Sequence, residues 1–277
     1  MRLGRAIPGL DAASADYHGD WFDDGWWEAI SHNARMAAKI AKEGRLKGVM
    51  FDTEHRYGRV FDYRFQKHRG DKNFSDYAAM ARARGVQFIK AVNSAYPDAT
   101  LIMTMAASAA AFEKTYAPNV GLDKVEYGLL PAFLDGIIEA AGSKTVIVDG
   151  YRRAFHFTDY EEFASAYVSM KTDAAGLSAI PEKYRDTIQA GYGVNLTWHP
   201  VQELENALHY ALTVSDRYVW VWHDHLSFAR PMRKVSRERV FAVLNALRAR
   251  STEKPTQTSE NFGILPLRRG ILRFTLM

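Results

Sequence analysis

Thr145-Val-Ile-Val-Asp149 is the stretch on which the fold turns. Three β-branched apolar residues stand in a row, an acid closes the run, and Gly150 follows. A short strand that is apolar on both faces belongs in a parallel sheet covered by helices rather than in a half-solvated hairpin. Its flanks agree. A helical pattern over about 126–141 stops at Gly142, and another runs over about 159–175 with Phe163, Tyr167 and Met170 on one face.

The same alternation extends in both directions. Upstream, residues 26–43 read as a helix with Trp27, Ile30, Ala34, Ala37 and Ala41 on one face. Gly48-Val-Met-Phe-Asp-Thr-Glu54 follows as a strand ending in acids. Phe74, Tyr77, Ala81, Phe88, Val92 and Tyr96 then mark a helix, and Thr100-Leu-Ile-Met-Thr-Met105 a strand. Downstream come a weaker strand near 187–194, interrupted by Gly191 and Gly193, a helix over 201–214, the strand Arg217–Trp222 and a helix over 234–250. Strands alternating with helices predict an α/β fold with a parallel sheet. No Gly-rich phosphate turn follows any strand, which favours a (β/α)8 TIM-barrel-like architecture over a nucleotide-binding open sheet.

Five β-α units fill residues 45–250, too few for eight. Either short strands hide in 1–20, 57–72 and 107–123, or the barrel lacks N-terminal strands. The expected organisation is a TIM-barrel-like domain over 1–250, a polar linker over 251–260 and an apolar, basic tail over 261–277.

Composition narrows the function classes. The 277 residues include no cysteine, which excludes disulfides, thiol catalysis and cysteine-ligated zinc. The net charge of +4 is unevenly spread: residues 226–277 hold 11 Lys/Arg against 3 Glu, and residues 1–225 hold 25 against 29 acids. A mildly acidic body is unlike a phosphate-tracking surface, so no nucleic-acid partner is expected. No apolar run approaches the roughly 18 residues of a membrane span. No signal-peptide core is visible, which implies the cytoplasm by default, or secretion if further sequence precedes Met1.

Ligands of parallel α/β folds meet the C-terminal strand ends. Three of these ends carry acids: Asp52 and Glu54, Asp149, and Asp224. Strand alternation would put Met50, Asp52 and Glu54 on one face. Two carboxylates across a cleft are the minimal machinery for glycoside hydrolysis. Glu54, with its acidity weakened by neighbouring Asp52, is the candidate general acid/base. Asp224 is the candidate nucleophile or base, with Asp149 its competitor. His55, Tyr57, Tyr151, Arg152, Trp198, Trp222, His223 and His225 are candidates to hold sugar rings and hydroxyls, along with Asp52. A metal-dependent hydrolase or isomerase built on His223, His225 and the Asp52/Glu54 end is the alternative, and a non-catalytic carbohydrate-binding barrel a further one. The first reading needs no metal and no cofactor, and its partner is a carbohydrate substrate.

Gly48-Val-Met-Phe-Asp-Thr-Glu-His-Arg-Tyr-Gly58, Leu129-Leu-Pro-Ala-Phe-Leu-Asp-Gly136, Val146-Ile-Val-Asp-Gly150 and Ser215-Asp-Arg-Tyr-Val-Trp-Val-Trp222 together resemble bacterial glycoside-hydrolase-like TIM-barrel proteins, over roughly residues 20–228. The resemblance implies the barrel fold and carbohydrate chemistry. In similar proteins the last motif tends to end in Ser-Glu, whereas here it ends in His223-Asp224.

Overall fold

A computed structural model describes residues 20–55, 59–222, 245 and 275–276, and its chain divides into two compact units. The first comprises the residues up to Tyr151 together with Val168–Ile188, and the second comprises Arg152–Tyr167 and the residues from Gln189 onward. Both are mixed α/β with parallel strands.

In the first unit, α1 (Asp24–Glu43) begins where the Asp23 carboxylate accepts the Trp26 N–H. It ends at Gly44, whose N–H returns to the Ile40 carbonyl. Strand β1 (Gly48–Phe51) is followed by α2 (Phe74–Ala95), which opens with a reciprocal Asn73/Asp76 capping box. Strand β2 (Thr100–Met103), α3 (Ala107–Tyr116), α4 (Leu130–Ala140) and β3 (Val146–Asp149) follow. The strands run in the order β1-β2-β3, and Phe51 lies level with Met103, and Met103 with Asp149. That register aligns the three C-terminal ends, with acids at those of β1 and β3 and Thr104 at that of β2.

Two glycines let α2 and α4 pack backbone to backbone. A Cβ on Gly85 would lie 2.0 Å from the Phe133 carbonyl oxygen, and one on Gly136 would lie 1.9 Å from that of Arg82. Beside this contact Trp21, Trp27, Phe51, Phe61, Phe88 and Phe133 form a continuous aromatic cluster. All six are essentially inaccessible to solvent.

Helix α5 (Tyr160–Lys171) crosses the boundary between the units, and the short helices α6 (Asp173–Gly176) and α7 (Pro181–Thr187) complete the first. Between them, Ser178 Oγ and the Ala179 N–H both donate to the buried Asp135 carboxylate of α4. The second unit holds β4 (Ile188–Asn195), α8 (Val201–Val214), β5 (Tyr218–Trp222) and β6 (Thr275–Leu276). Here β5 pairs in parallel with both β4 and β6.

Several expectations shift. The weak strand near 187–194 is the longest described, because Gly193 lets the Trp220 and Phe155 rings pack against its backbone: a Cβ there would meet each at 2.6 Å. Residues 107–116 form α3, not a hidden strand, in keeping with an Ala-rich stretch of high helix propensity. Residues 59–72 hold a single turn of 3-10 helix (Tyr63–Phe65) and no strand. The helix expected from 126 starts at Leu130, since Glu126 and Tyr127 are held in a turn by Glu113. The reading over 159–175 resolves into α5 and α6. Residues 1–19, the linker over 251–260 and most of the helix expected over 234–250 lie outside the described residues; of the tail, only Thr275–Leu276 is described.

The glycine contact makes a direct prediction. Gly85→Ala or Gly136→Ala should destabilise the chain by about 1–3 kcal/mol or more, because backbone cannot yield as a flexible side chain does. Gly176→Ala, which points a methyl into open space, should melt close to wild type. Thermal melts of the three variants check this, and equal midpoints would refute the close packing.

Candidate functional site

The aligned strand ends of the first unit dictate what their acids do. Asp52 and Thr104 each follow the last residue of a strand, so the register sets them side by side, and the Thr104 hydroxyl donates to Asp52 Oδ1 at 3.0 Å. Thr53 reinforces the link: its N–H donates to Thr104 Oγ1 at 3.0 Å, and its hydroxyl donates to the Met105 carbonyl at 2.6 Å. Asp52 also accepts the Glu54 N–H at 3.3 Å, so the chain turns here instead of continuing as a strand. The alternation expected to put Met50, Asp52 and Glu54 on one face therefore ends at Phe51. A short acid that bonds its own backbone two residues on is a turn former.

Asp149 is wholly buried and accepts the Tyr151 N–H at 3.2 Å. Burial pushes its carboxyl above the ordinary range, while the Ser108 hydroxyl and the amides of Ala106 and Ser108 oppose that shift. It thus faces the start of α3, where donors are left over by the helix. Tyr151 is buried too, with a positive φ of 33° that makes the sharp exit from β3.

A denser constellation lies beyond β1. His55 is almost fully enclosed, with side-chain exposure of 3%. Its Nε2 accepts the Phe61 N–H at 3.2 Å, so in the neutral ring the remaining proton sits on Nδ1, which faces Glu126 Oε1 at 3.2 Å. The ring stacks on Tyr127, with centroids 4.2 Å apart and planes 7° from parallel, and the His55 N–H donates to the Tyr127 hydroxyl. Burial lowers the His55 pKa and outweighs the opposing pull of Glu126.

Three carboxylates surround this frame. Glu126, on the turn before α4, keeps 37% of its side chain exposed while His55 orients it. Glu113, on α3, accepts the N–H groups of Glu126 and Tyr127 at 2.8 and 3.3 Å, and burial raises its pKa. Glu54 is half-buried. Burial, and then the charges of Glu126, Glu54 and Glu113, push the Tyr127 phenol well above its ordinary value against the lowering effect of the His55 N–H. Tyr127 therefore stays a neutral hydroxyl with three acids within electrostatic reach.

Of the residues expected from the sequence, the structure gathers Asp52, Glu54 and His55 in one turn. In the second unit, Arg152 lies over the Phe155 ring at 5.1 Å. Trp198 is 45% exposed and packs against Phe155 and His156. Trp222 is half-buried at the end of β5 and its carbonyl accepts the Leu196 N–H. Tyr57, His223, Asp224 and His225 lie outside the described residues.

Sequence reasoning missed Glu113, Glu126 and Tyr127. The available signal was an acid-aromatic pair directly before Gly128, and treating it as the first turn of a helix concealed it. Among the described residues no group of three His, Asp or Glu side chains is arranged to hold a metal ion. Among them, too, no helix is long and apolar enough to cross a membrane.

No protein-family model matches the chain, and no match is found among curated proteins or solved structures.

The His55 frame fixes a pH dependence. Folding lowers the His55 pKa, so below the ordinary value near 6.5 the unfolded chain binds more protons at this residue than the folded one. The stability His55 contributes is thus complete above about pH 7 and is lost as the pH falls through 6.5 toward the lowered value. Melts between pH 7.5 and 5 should show a steeper loss for wild type than for His55→Gln. Parallel curves would count against a buried neutral imidazole.

Proposed function

We propose that the chain is a glycoside hydrolase with a TIM-barrel-type framework, acting through carboxylates beyond the end of β1. The observation that carries this reading is the meeting of Glu113 and Glu126 at the Tyr127 turn, with Glu126 oriented by a buried His55 that follows Glu54 in the chain. Hydrolysis of a glycosidic bond needs one carboxylic acid to protonate the leaving oxygen and one carboxylate to attack the anomeric carbon or activate water. Half-buried Glu54, at the exit of β1, takes the part of the acid in this reading. Glu126 is accessible and faces His55 Nδ1, which holds its carboxylate in place for the second role. Asp224 remains a candidate for that second role. Glu113 spends its oxygens on two backbone amides and so shapes the turn that presents Glu126.

The parallel strand order in each unit and the resemblance of the β1, α4, β3 and β5 motifs to glycoside-hydrolase-like proteins support the same reading. Asp52 and Asp149 then act as supports. Asp52 ties the exit of β1 to that of β2, and Asp149 ties β3 to the start of α3.

The test is turnover of a panel of aryl glycosides and polysaccharides by the full chain. Glu54→Gln and Glu126→Gln should each lower kcat by about 10²–10⁴-fold with the melting temperature preserved. Asp149→Asn should act mainly on stability. If Asp224→Asn abolishes turnover while Glu126→Gln leaves it intact, Asp224 is the second carboxylate. Absence of turnover on every glycoside, with sugar binding retained, would replace the hydrolase with a non-catalytic sugar-binding protein.

A further inference from the structure

Between β1 and α2, residues 59–72 carry five Lys or Arg against two Asp. They build a rigid platform. Asp62 is completely buried and receives Arg64 through two parallel bonds, Nε at 2.8 Å and Nη2 at 2.7 Å, with Arg59 at 3.5 Å. Below it, Gln66 Nε2 donates to the carbonyls of Arg59, Val60 and Asp62. An Arg69 guanidinium N–H donates to the Arg64 carbonyl.

The outer face of this platform is an open concavity of about 660 Å³, lined by Arg59, Arg64, Phe65, Gln66, Lys67 and Arg69. Four cations line it and no acid does. Asp62 beneath offsets one of those charges. Phe65 is 51% exposed, with the Arg59 guanidinium stacked on its ring at 4.5 Å. The segment that carries the concavity is joined to the carboxylate cluster at Phe61, whose N–H donates to His55 Nε2 while His55 Nδ1 faces Glu126.

We propose that this concavity binds the negatively charged group of an anionic glycan, a uronate carboxylate or a sulfate ester, next to the carboxylates that would act on its glycosidic bond. The inference rests on the hydrolase reading and narrows its substrate class. Planar guanidinium groups match carboxylate and sulfate oxygens in pairs, and the two bonds to Asp62 already hold Arg64 in place. The exposed Phe65 ring offers an apolar surface beside them, as a sugar ring requires. A continuous phosphate chain fits less well, because residues 1–225 carry more acids than bases and offer it no extended cationic track. A glycan puts its charge on the cations and its neutral linkage on the acids.

The experiment measures binding by calorimetry, and cleavage, with the full chain and four probes of matched length. These are a uronate oligosaccharide, a sulfated oligosaccharide, a neutral glucan and a single-stranded RNA. One of the anionic glycans should bind and the neutral glucan should bind at least about tenfold more weakly. Whichever glycan binds identifies the charged group. Lys67→Glu should weaken that binding by about tenfold or more without moving the melting temperature, since its side chain is exposed, and Arg69→Glu should weaken it too while also giving up the bond to the Arg64 carbonyl. Arg64→Ala removes the partner of buried Asp62, so its effect is interpretable only alongside those two. Equal binding of neutral and anionic glycans, tighter binding of RNA, or indifference to both charge reversals would overturn the inference. Cleavage of neutral glycans untouched by the reversals would overturn it and leave the hydrolase standing. Anionic-glycan binding that the reversals abolish, in a chain that cleaves nothing, would keep the anion site and remove the hydrolase.

Discussion

One enclosed imidazole holds the site together. His55 accepts from the Phe61 N–H, faces Glu126 through Nδ1, stacks on Tyr127 and donates its own N–H to the Tyr127 hydroxyl. The exit of β1 and the nearby turn at 59–61 are thereby joined to the turn before α4, 71 residues beyond His55. The Phe61 carbonyl closes the circuit by accepting the Leu129 N–H at 2.9 Å. Because both ring nitrogens are engaged, burying the neutral ring leaves no polar group orphaned, whereas a second ring proton would confront the Phe61 N–H. The arrangement therefore depends on one protonation state and one tautomer.

What lets His55 sit there is packing below it. Phe61 belongs to the aromatic cluster that also contains Phe133 of α4, and α4 is pulled onto α2 at Gly85 and Gly136. Trp21 joins the same cluster and donates its indole N–H to the Val60 carbonyl at 2.8 Å. The turn that carries the cationic concavity is thus anchored from the core at one end and by buried Asp62 in its middle. Core, turn and site form a single chain of contacts, and a methyl added at Gly136 acts on the first link.

The alternation of helices and strands was legible from Thr145–Asp149 outward, because strands apolar on both faces and helices with a single apolar stripe leave different periods. Acids at strand ends were legible too. Their roles were not: whether Asp52 and Asp149 face substrate or bond neighbouring backbone depends on register, which places Thr104 beside one and the start of α3 beside the other. Glu113 and Glu126 were hidden for a related reason. They lie 13 residues apart and meet only because α3 turns back on the segment before α4. The basic run at 59–72 was lost in a body whose net charge is acidic, and its concavity depends on the burial of Asp62 beneath two arginines, which no local pattern announces. Gly193 misled in the opposite direction, reading as an interruption where it is a seat for the Trp220 and Phe155 rings.

The most direct test of this account is the protonation state of His55, observed by ¹⁵N NMR of the imidazole in the intact chain as the pH is lowered. The account predicts a neutral ring at pH 6.5 with its proton on Nδ1, and a titration midpoint below the ordinary histidine value. An imidazolium at pH 6.5, or a neutral ring protonated on Nε2, would contradict the frame that orients Glu126 and the function built on it.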